Sequence, residues 1–259
     1  MKKILIIFGT RPEAIKMAPL INFLKTSKSK FKYKICVTAQ HREMLDQVLQ
    51  LFQIVPDYDL DIMKKGQDLY DITSKVVIGL RDIINIDKPD LILVHGDTTT
   101  SMVASLASFY ARIPVGHVEA GLRTYSKYNP WPEELNRQIT GRLATYHFSP
   151  TLQSKQNLLN EGVKNENIIV TGNTVIDALF IVLEKINNSK SITNNVYKSL
   201  NEDGLSSKVV SNWINNNRRL VLITGHRREN FGEGFINICK SIKYLSKKYQ
   251  DVDFVYPMH

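Results

Sequence analysis

Cysteine is scarce in this sequence and long apolar runs are missing. Two cysteines, Cys36 and Cys239, occur in 259 residues. Neither has a cysteine or histidine at metal-ligand spacing, and nothing here requires an oxidising compartment. Both sit in apolar patterns that predict buried thiols. No stretch approaches the ~20 apolar residues of a membrane span. The start, MKKILIIFGTRPEA, lacks the apolar core and small-residue cleavage site of a secretory signal. It reads as a first β-strand, and the compartment reads as the cytoplasm. Short-period repeats are absent, as are a serine elbow and a Cys–His signature, which argues against covalent catalysis. Acidic residues are outnumbered 25 to 34 by basic ones, leaving a net charge of +9. The lysines are scattered, without an arginine–aromatic cluster. The charge therefore reads as a solvated surface or a site for a multiply charged anion, not as a nucleic-acid footprint.

What is present is alternation. Apolar runs at KILIIF, YKICVTA, DLILVHG, IPVGHVEA, ATYHFS and NIIVTG are separated by helical patterns such as PEAIKMAPLINFLKTS and LYDITSKVVIGLRDIINI. Short strands alternating with helices predict an α/β fold, a doubly wound parallel sheet covered on both faces. A domain boundary is expected near 172–175, giving residues 1–174 and 175–259. Residues 187–218 are polar, with little periodicity. A strand RRLVLIT, a turn GHRREN, a helix EGFINICKSIKYLSKKY and a strand VDFVYPMH follow. That second unit reads as incomplete, with uncovered sheet faces.

In open parallel sheets, ligands bind beyond the carboxyl ends of the strands. Here those ends carry Thr10, Arg11, Glu13 and Lys16; Gln40, His41 and Arg42; His95, Gly96 and Asp97; Glu119, Gly121 and Arg123; and His226, Arg227, Arg228 and Glu229. Each has a plainer reading. Asp97 before TTT reads equally as a helix cap. Glu119 reads as a loop carboxylate paired with Arg123. NPWPEELNRQ, with Glu133 and Glu134, reads as a loop entering a helix. Arg11 and Lys16 open a helix where cations oppose its dipole, and they gain a reason if an anion sits there. Several carboxylates, a histidine and a cation clamp together suit acid–base work beside a leaving diphosphate. No metal cage is legible.

FGTRPEAIKMAPL, VTAQHREMLDQVL, VHGDTTT, GHVEAGLRT, PWPEELNRQ, TGNTVIDAL and TGHRREN, in this order through nearly the whole chain, closely resemble the bacterial non-hydrolysing UDP-N-acetylglucosamine 2-epimerases. The resemblance implies two Rossmann-like domains in a glycosyltransferase-B-like architecture, the second incomplete here, because the family continues past the position of His259. It implies interconversion of UDP-N-acetylglucosamine and UDP-N-acetylmannosamine through UDP elimination, 2-acetamidoglucal and re-addition, for surface polysaccharide precursors, in a homodimer. Neither a cofactor nor a metal is implied. Asp97, Glu119 and Glu133 match the acid/base carboxylates and His226 the catalytic histidine. Arg11 and Lys16 match cleft or phosphate-side residues. Gln40, Glu133, Arg227 and His259 match an activator-sugar site, in which Glu43 and Gly66 depart from the residues some members use. A hydrolysing epimerase that releases UDP and N-acetylmannosamine, or an inactive remnant, are the alternative readings.

Overall fold

A computed structural model describes residues 1–26, 31–39, 42–215, 217–224 and 232–257. The chain forms two compact units, Met1–Leu183 and Glu184–His259.

In the first unit the apolar runs become a seven-stranded sheet. Its strands are β1 (Lys2–Phe8), β2 (Phe31–Val37), β3 (Tyr58–Asp59), β4 (Leu91–His95), β5 (Val115–Val118), β6 (Tyr146–Ser149) and β7 (Ile168–Val170). The order is β3-β2-β1-β4-β5-β6-β7 and all pairings are parallel. The intervening helices are α1 (Arg11–Thr26), α2 (Arg42–Phe52), α3 (Leu69–Asp87), α4 (Thr99–Tyr110), α5 (Glu133–Leu143) and α6 (Leu152–Asn160). Helix α7 (Val175–Asn188) follows and carries the chain into the second unit.

Both faces of the sheet are covered, which is why its strands are apolar throughout rather than alternating. Ile4, Ile6 and Phe8 of β1 pack with Met17 and Ile21 of α1. Leu5 and Ile7 pack on the other face with Val76 and Leu80 of α3 and Val103 of α4. Leu5, Ile6, Ile7 and Phe8 have no exposed surface, and each such side chain contributes about 1.5–3 kcal/mol of burial. The expected doubly wound parallel sheet is thus present. Strand order reverses between β1 and β4, and that switch point is where such sheets bind ligands.

The sequence pattern misses β3, which has two residues and a single large side chain. It also misses helices in the polar stretch. In the second unit α8 (Lys190–Glu202) and α9 (Ser207–Ile214) occupy most of that stretch. Ser189 caps Ile192 N–H and Ser206 caps Val209 N–H. Ile192, Val196 and Leu200 recur at four-residue spacing, an apolar row that Asn-rich surroundings disguise. Beyond them β8 (Arg219–Leu222) and β9 (Val252–Val255) pair in parallel around α10 (Glu233–Lys248). Asp253 of β9 accepts from Trp213 Nε1 at 2.7 Å and from both Nε and Nη2 of Arg218. Among the described residues of this unit Val210 is the buried hydrophobic, while Leu220, Val221 and Leu222 are 44%, 41% and 63% exposed.

The two thiols part company. Cys36 in β2 is buried, and burial pushes its pKa up to about 12. Cys239, expected to be buried, is exposed. Ile238 and Ile242 form the row of α10 that lines a pocket with Val221 and Phe254. Cys239 lies about 100° around the helix from Ile238, off that row.

Candidate active site

The β1–α1 turn carries one glycine, and packing explains it. A Cβ on Gly9 would lie 2.0 Å from Thr38 Oγ1 and 2.6 Å from Thr100 Oγ1. Those two hydroxyls hydrogen-bond each other at 3.0 Å beneath the turn. Gly9 therefore makes room for the residue that follows β2 and for the first turn of α4.

The anion at this turn belongs to the protein. Glu13, 2% exposed, turns back over the start of α1. Its Oε2 accepts from Gly9 N–H (3.0 Å), Thr10 N–H (2.8 Å) and the Thr10 hydroxyl (2.8 Å). Its Oε1 accepts from the Thr98 and Ser101 hydroxyls at 2.7 and 3.0 Å. One carboxylate thus ties the β1–α1 turn to the β4–α4 turn across the switch point. Burial raises its pKa, opposed by the donors, Thr98 first.

The β4–α4 turn holds Asp97. The plain reading of Asp97 as the cap of α4 is not what forms; Thr98 is the N-cap, accepting from Ser101 N–H at 3.1 Å. Asp97 is left free to face Arg137 of α5, with which it makes a close ion pair. Asn136 Nδ2 donates to the Asp97 carbonyl at 3.0 Å. Burial raises the Asp97 pKa, the Arg137 charge and hydrogen bond oppose this, and Glu119 raises it further. Asp97, Glu133, Arg11, Thr10, Met44 and Leu69 are among the residues lining one cleft of about 430 Å³.

Glu119 follows β5 with φ +63°, a left-handed conformation that costs a non-glycine residue about 1–3 kcal/mol and concentrates at functional positions. Lys16 Nζ reaches both its oxygens, at 2.7 and 2.6 Å, and Asn173 Nδ2 donates to Oε2 at 2.9 Å. The plainer reading of Glu119, a loop carboxylate paired with Arg123, is not what forms. Arg123, its side chain fully buried, forks onto Glu161 instead, with two contacts of 2.7 Å. Gly121, at φ +90° with a would-be Cβ 2.2 Å from Ser154 carbonyl oxygen, pins the backbone between these two carboxylate systems. Glu134, the neighbour of Glu133, is fully buried and accepts from Thr124 N–H, Tyr125 N–H and Gln138 Nε2. It holds the loop that leads into α5, and its pKa is lowered; burial, the largest influence, acts the other way, and these donors outweigh it.

Three buried histidines lie in neighbouring strands: His95 at the end of β4, and His117 and His147 within β5 and β6. His117 Nε2 meets the Gly96 carbonyl at 2.7 Å. Burial lowers all three pKa values, to about 3 for His95 and His117 and to about 4 for His147.

Of the residues picked from sequence, Arg11, Asp97 and Glu133 share the cleft, and Lys16 and Glu119 form an ion pair within electrostatic reach of Asp97. Gln40, His226, Arg227 and His259 lie outside the described residues. Sequence reasoning missed the roles of Glu13, Glu134, Arg137, Asn136 and Asn173. For Glu13 a signal exists: Thr10-x-x-Glu13 has the spacing of a capping box. No local pattern marks the others, whose loop and strand-end partners are 9 to 54 residues away in the chain.

Residues 24–259 match the family model described as UDP-N-acetylglucosamine 2-epimerase. A Campylobacter jejuni protein named UDP-N-acetylglucosamine 2-epimerase is 54% identical over 258 residues, 100% of this chain and 65% of that protein. A Neisseria meningitidis UDP-GlcNAc 2-epimerase crystallised with UDP-GlcNAc superposes with TM-score 0.87 at 52% identity, over 99% of this chain and 66% of that one. A Methanocaldococcus jannaschii UDP-GlcNAc 2-epimerase in complex with UDP-GlcNAc and UDP gives TM-score 0.78 at 30% identity, over 98% and 66%. The fold class is the glycosyltransferase-B-like one of these structures. The chain spans about two thirds of the length of the relatives it matches.

Proposed function

We infer the activity from membership: the chain belongs to the UDP-N-acetylglucosamine 2-epimerase family, and its strand-end cleft carries the groups that such a reaction uses. The substrate is UDP-N-acetylglucosamine, and the product is UDP-N-acetylmannosamine. The observation that carries this reading is the convergence of Asp97, Glu133 and Arg11 on one cleft, with the Lys16–Glu119 pair beside it.

The reaction is acid–base throughout, so it asks for neither nicotinamide nor metal. A carboxylate removes the C2 proton. The C1–O bond breaks, its electron pair leaves with UDP, and a C1=C2 double bond remains in 2-acetamidoglucal. A proton then returns to C2 on the opposite face, and UDP adds back at C1. Glu119, Asp97 and Glu133 are assigned to the proton transfers. Arg11 and Lys16 are assigned to the diphosphate, whose departing charge they would neutralise. His226 is assigned to catalysis beside the diphosphate. Gln40, Arg227 and His259, with Glu133, are assigned to a second sugar-nucleotide site. Burial and Glu119 hold the Asp97 pKa up against Arg137, the direction an acid catalyst needs.

Proton NMR of the chain with UDP-N-acetylglucosamine in heavy water tests this. The expected result is deuterium at C2 together with the manno epimer. Exchange should fall by about 10²–10⁴-fold in Asp97→Asn, the range of one acid–base group. Free UDP with N-acetylmannosamine would instead mark a hydrolysing enzyme. Full activity in Asp97→Asn would overturn its assignment.

The protein is further proposed to act in the cytoplasm as a homodimer joined through its first unit. Ile78, Ile86, Phe109 and Tyr110 of α3 and α4 are 54–74% exposed around a groove of about 320 Å³. An apolar surface of this kind marks an association site. Sedimentation should give twice the chain mass, and Tyr110→Glu should shift it to the monomer; a monomeric wild-type chain would sink this reading.

A further inference from the structure

His95 is the buried titratable group at the cleft that the proposed chemistry leaves without a task. Its ring is 3% exposed, and Nε2 has no hydrogen-bond partner among the described residues. That atom faces Glu119 Oε2 at 3.9 Å, about 1 Å too far for a hydrogen bond. The Glu119 carboxylate is held off the ring by Lys16 Nζ and by Asn173 Nδ2. A buried imidazole nitrogen without a partner is costly, and native proteins keep few of them.

We propose that Glu119 is a base with two settings: idle while Lys16 pairs with it, and active once an anionic ligand draws Lys16 away and the carboxylate turns onto the neutral Nε2–H of His95. His95 is then a positioning residue. This rests on the proposed function, because the ligand that would draw Lys16 away is a diphosphate.

Electrostatics gives the direction. A cation in contact with a carboxylate stabilises the anion and weakens it as a base. Exchanging Lys16 for an imidazole N–H and the Asn173 amide removes that positive charge while keeping the carboxylate hydrogen-bonded. Glu119 then meets the C2 proton of the sugar with no ammonium in contact with it. The ring must stay neutral for this to work. Burial, the largest influence and one that both settings share, lowers its pKa, the direction in which the ring donates a hydrogen bond without bringing a charge. The balance of the step is simple. Oε2 accepts the hydrogen bond, Oε1 takes the C2 proton of the sugar, and the imidazole proton never leaves Nε2. The left-handed backbone at Glu119 fixes where the side chain starts, so the change needs side-chain rotation alone.

The test reads the contact without any nucleotide sugar, so its failure is separate from failure of the epimerase reading, which C2 exchange reports. The full chain is labelled with ¹⁵N-histidine, and His95 is assigned by the resonance lost in His95→Gln. Removing the ammonium in Lys16→Met imitates the active setting. The His95 Nε2–H proton should move downfield and exchange more slowly with water, and Lys16→Met/Glu119→Leu, which leaves no acceptor there, should abolish both changes. Lys16→Gln replaces Lys16→Met should the latter not fold. An unaltered His95 resonance in the single variant overturns the proposal, and so does a shift that persists in the double variant.

Discussion

Urea unfolding of the first unit should show stability falling steeply as pH drops from 6.5 to 4.5. His95, His117 and His147 are held neutral by burial, with pKa values lowered to about 3, 3 and 4. In the unfolded chain each returns to about 6.5. The unfolded state therefore binds more protons throughout this interval, and stability is lost as pH falls. Each imidazole removes about 1.4 kcal/mol per pH unit, so the three together remove about 4. Glu13 and Asp97 act in the opposite sense. Their raised values give stability that is present below their unfolded pKa and lost as pH rises through the folded one. Two carboxyls cannot cancel three imidazoles, and the net loss lies between about 1.4 and 4 kcal/mol per pH unit. Over two units that is about 3–8 kcal/mol, a large part of the 5–15 kcal/mol that holds a typical domain together. The carboxyls whose pKa is lowered, such as Glu134, add to the loss only nearer their own unfolded values. The histidines as cause are checked by His147→Phe, which should reduce the slope by about 1.4 kcal/mol per pH unit. A flat profile from pH 6.5 to 4.5 would mean that these rings are already charged or solvated in the native state.

The architecture was legible because it rests on local regularities. Apolar runs such as KILIIF, separated by helical periods, predict a parallel sheet covered on both faces, and β1 packs on both sides. The strand-end positions were legible for the same reason. Once the sheet is parallel, whatever follows each strand converges at one edge, which places Arg11, Asp97 and Glu119 near one another before any side chain is seen. Pairings were not legible. Arg123 could have met Glu119, four residues away, yet it meets Glu161, because Gly121 turns the chain back against α6 and carries Arg123 with it. Asp97 looked like a cap, but Thr98 one residue later took that role and released it. The polar stretch at 187–218 hid two helices because asparagine has a weak helix propensity and the serine caps compensate for it.

Glu13→Ala should cost the first unit about 3–5 kcal/mol and loosen the cleft at the same time. Removing the carboxylate strands the buried N–H groups of Gly9 and Thr10, at about 1–3 kcal/mol each. The Thr98 and Ser101 hydroxyls can rotate to other acceptors, so their share is smaller. Glu13→Gln should cost only about 1 kcal/mol: its carbonyl can still serve the two N–H groups, and its amide can donate to hydroxyls able to accept. The contrast separates geometry from charge, and urea midpoints of the two variants measure it. Equal losses would show that the negative charge, not the acceptor, is what the turn requires. The same change should reach the chemistry, because Glu13 is what ties the turn bearing Arg11 to the turn bearing Asp97. It also explains the cations that open α1. At a glycine-rich turn the backbone N–H groups are free to bind a ligand's phosphate. Here Glu13 already occupies them, so the diphosphate of the proposed function would be met by side chains, and Arg11 and Lys16 stand on the first turns of that helix.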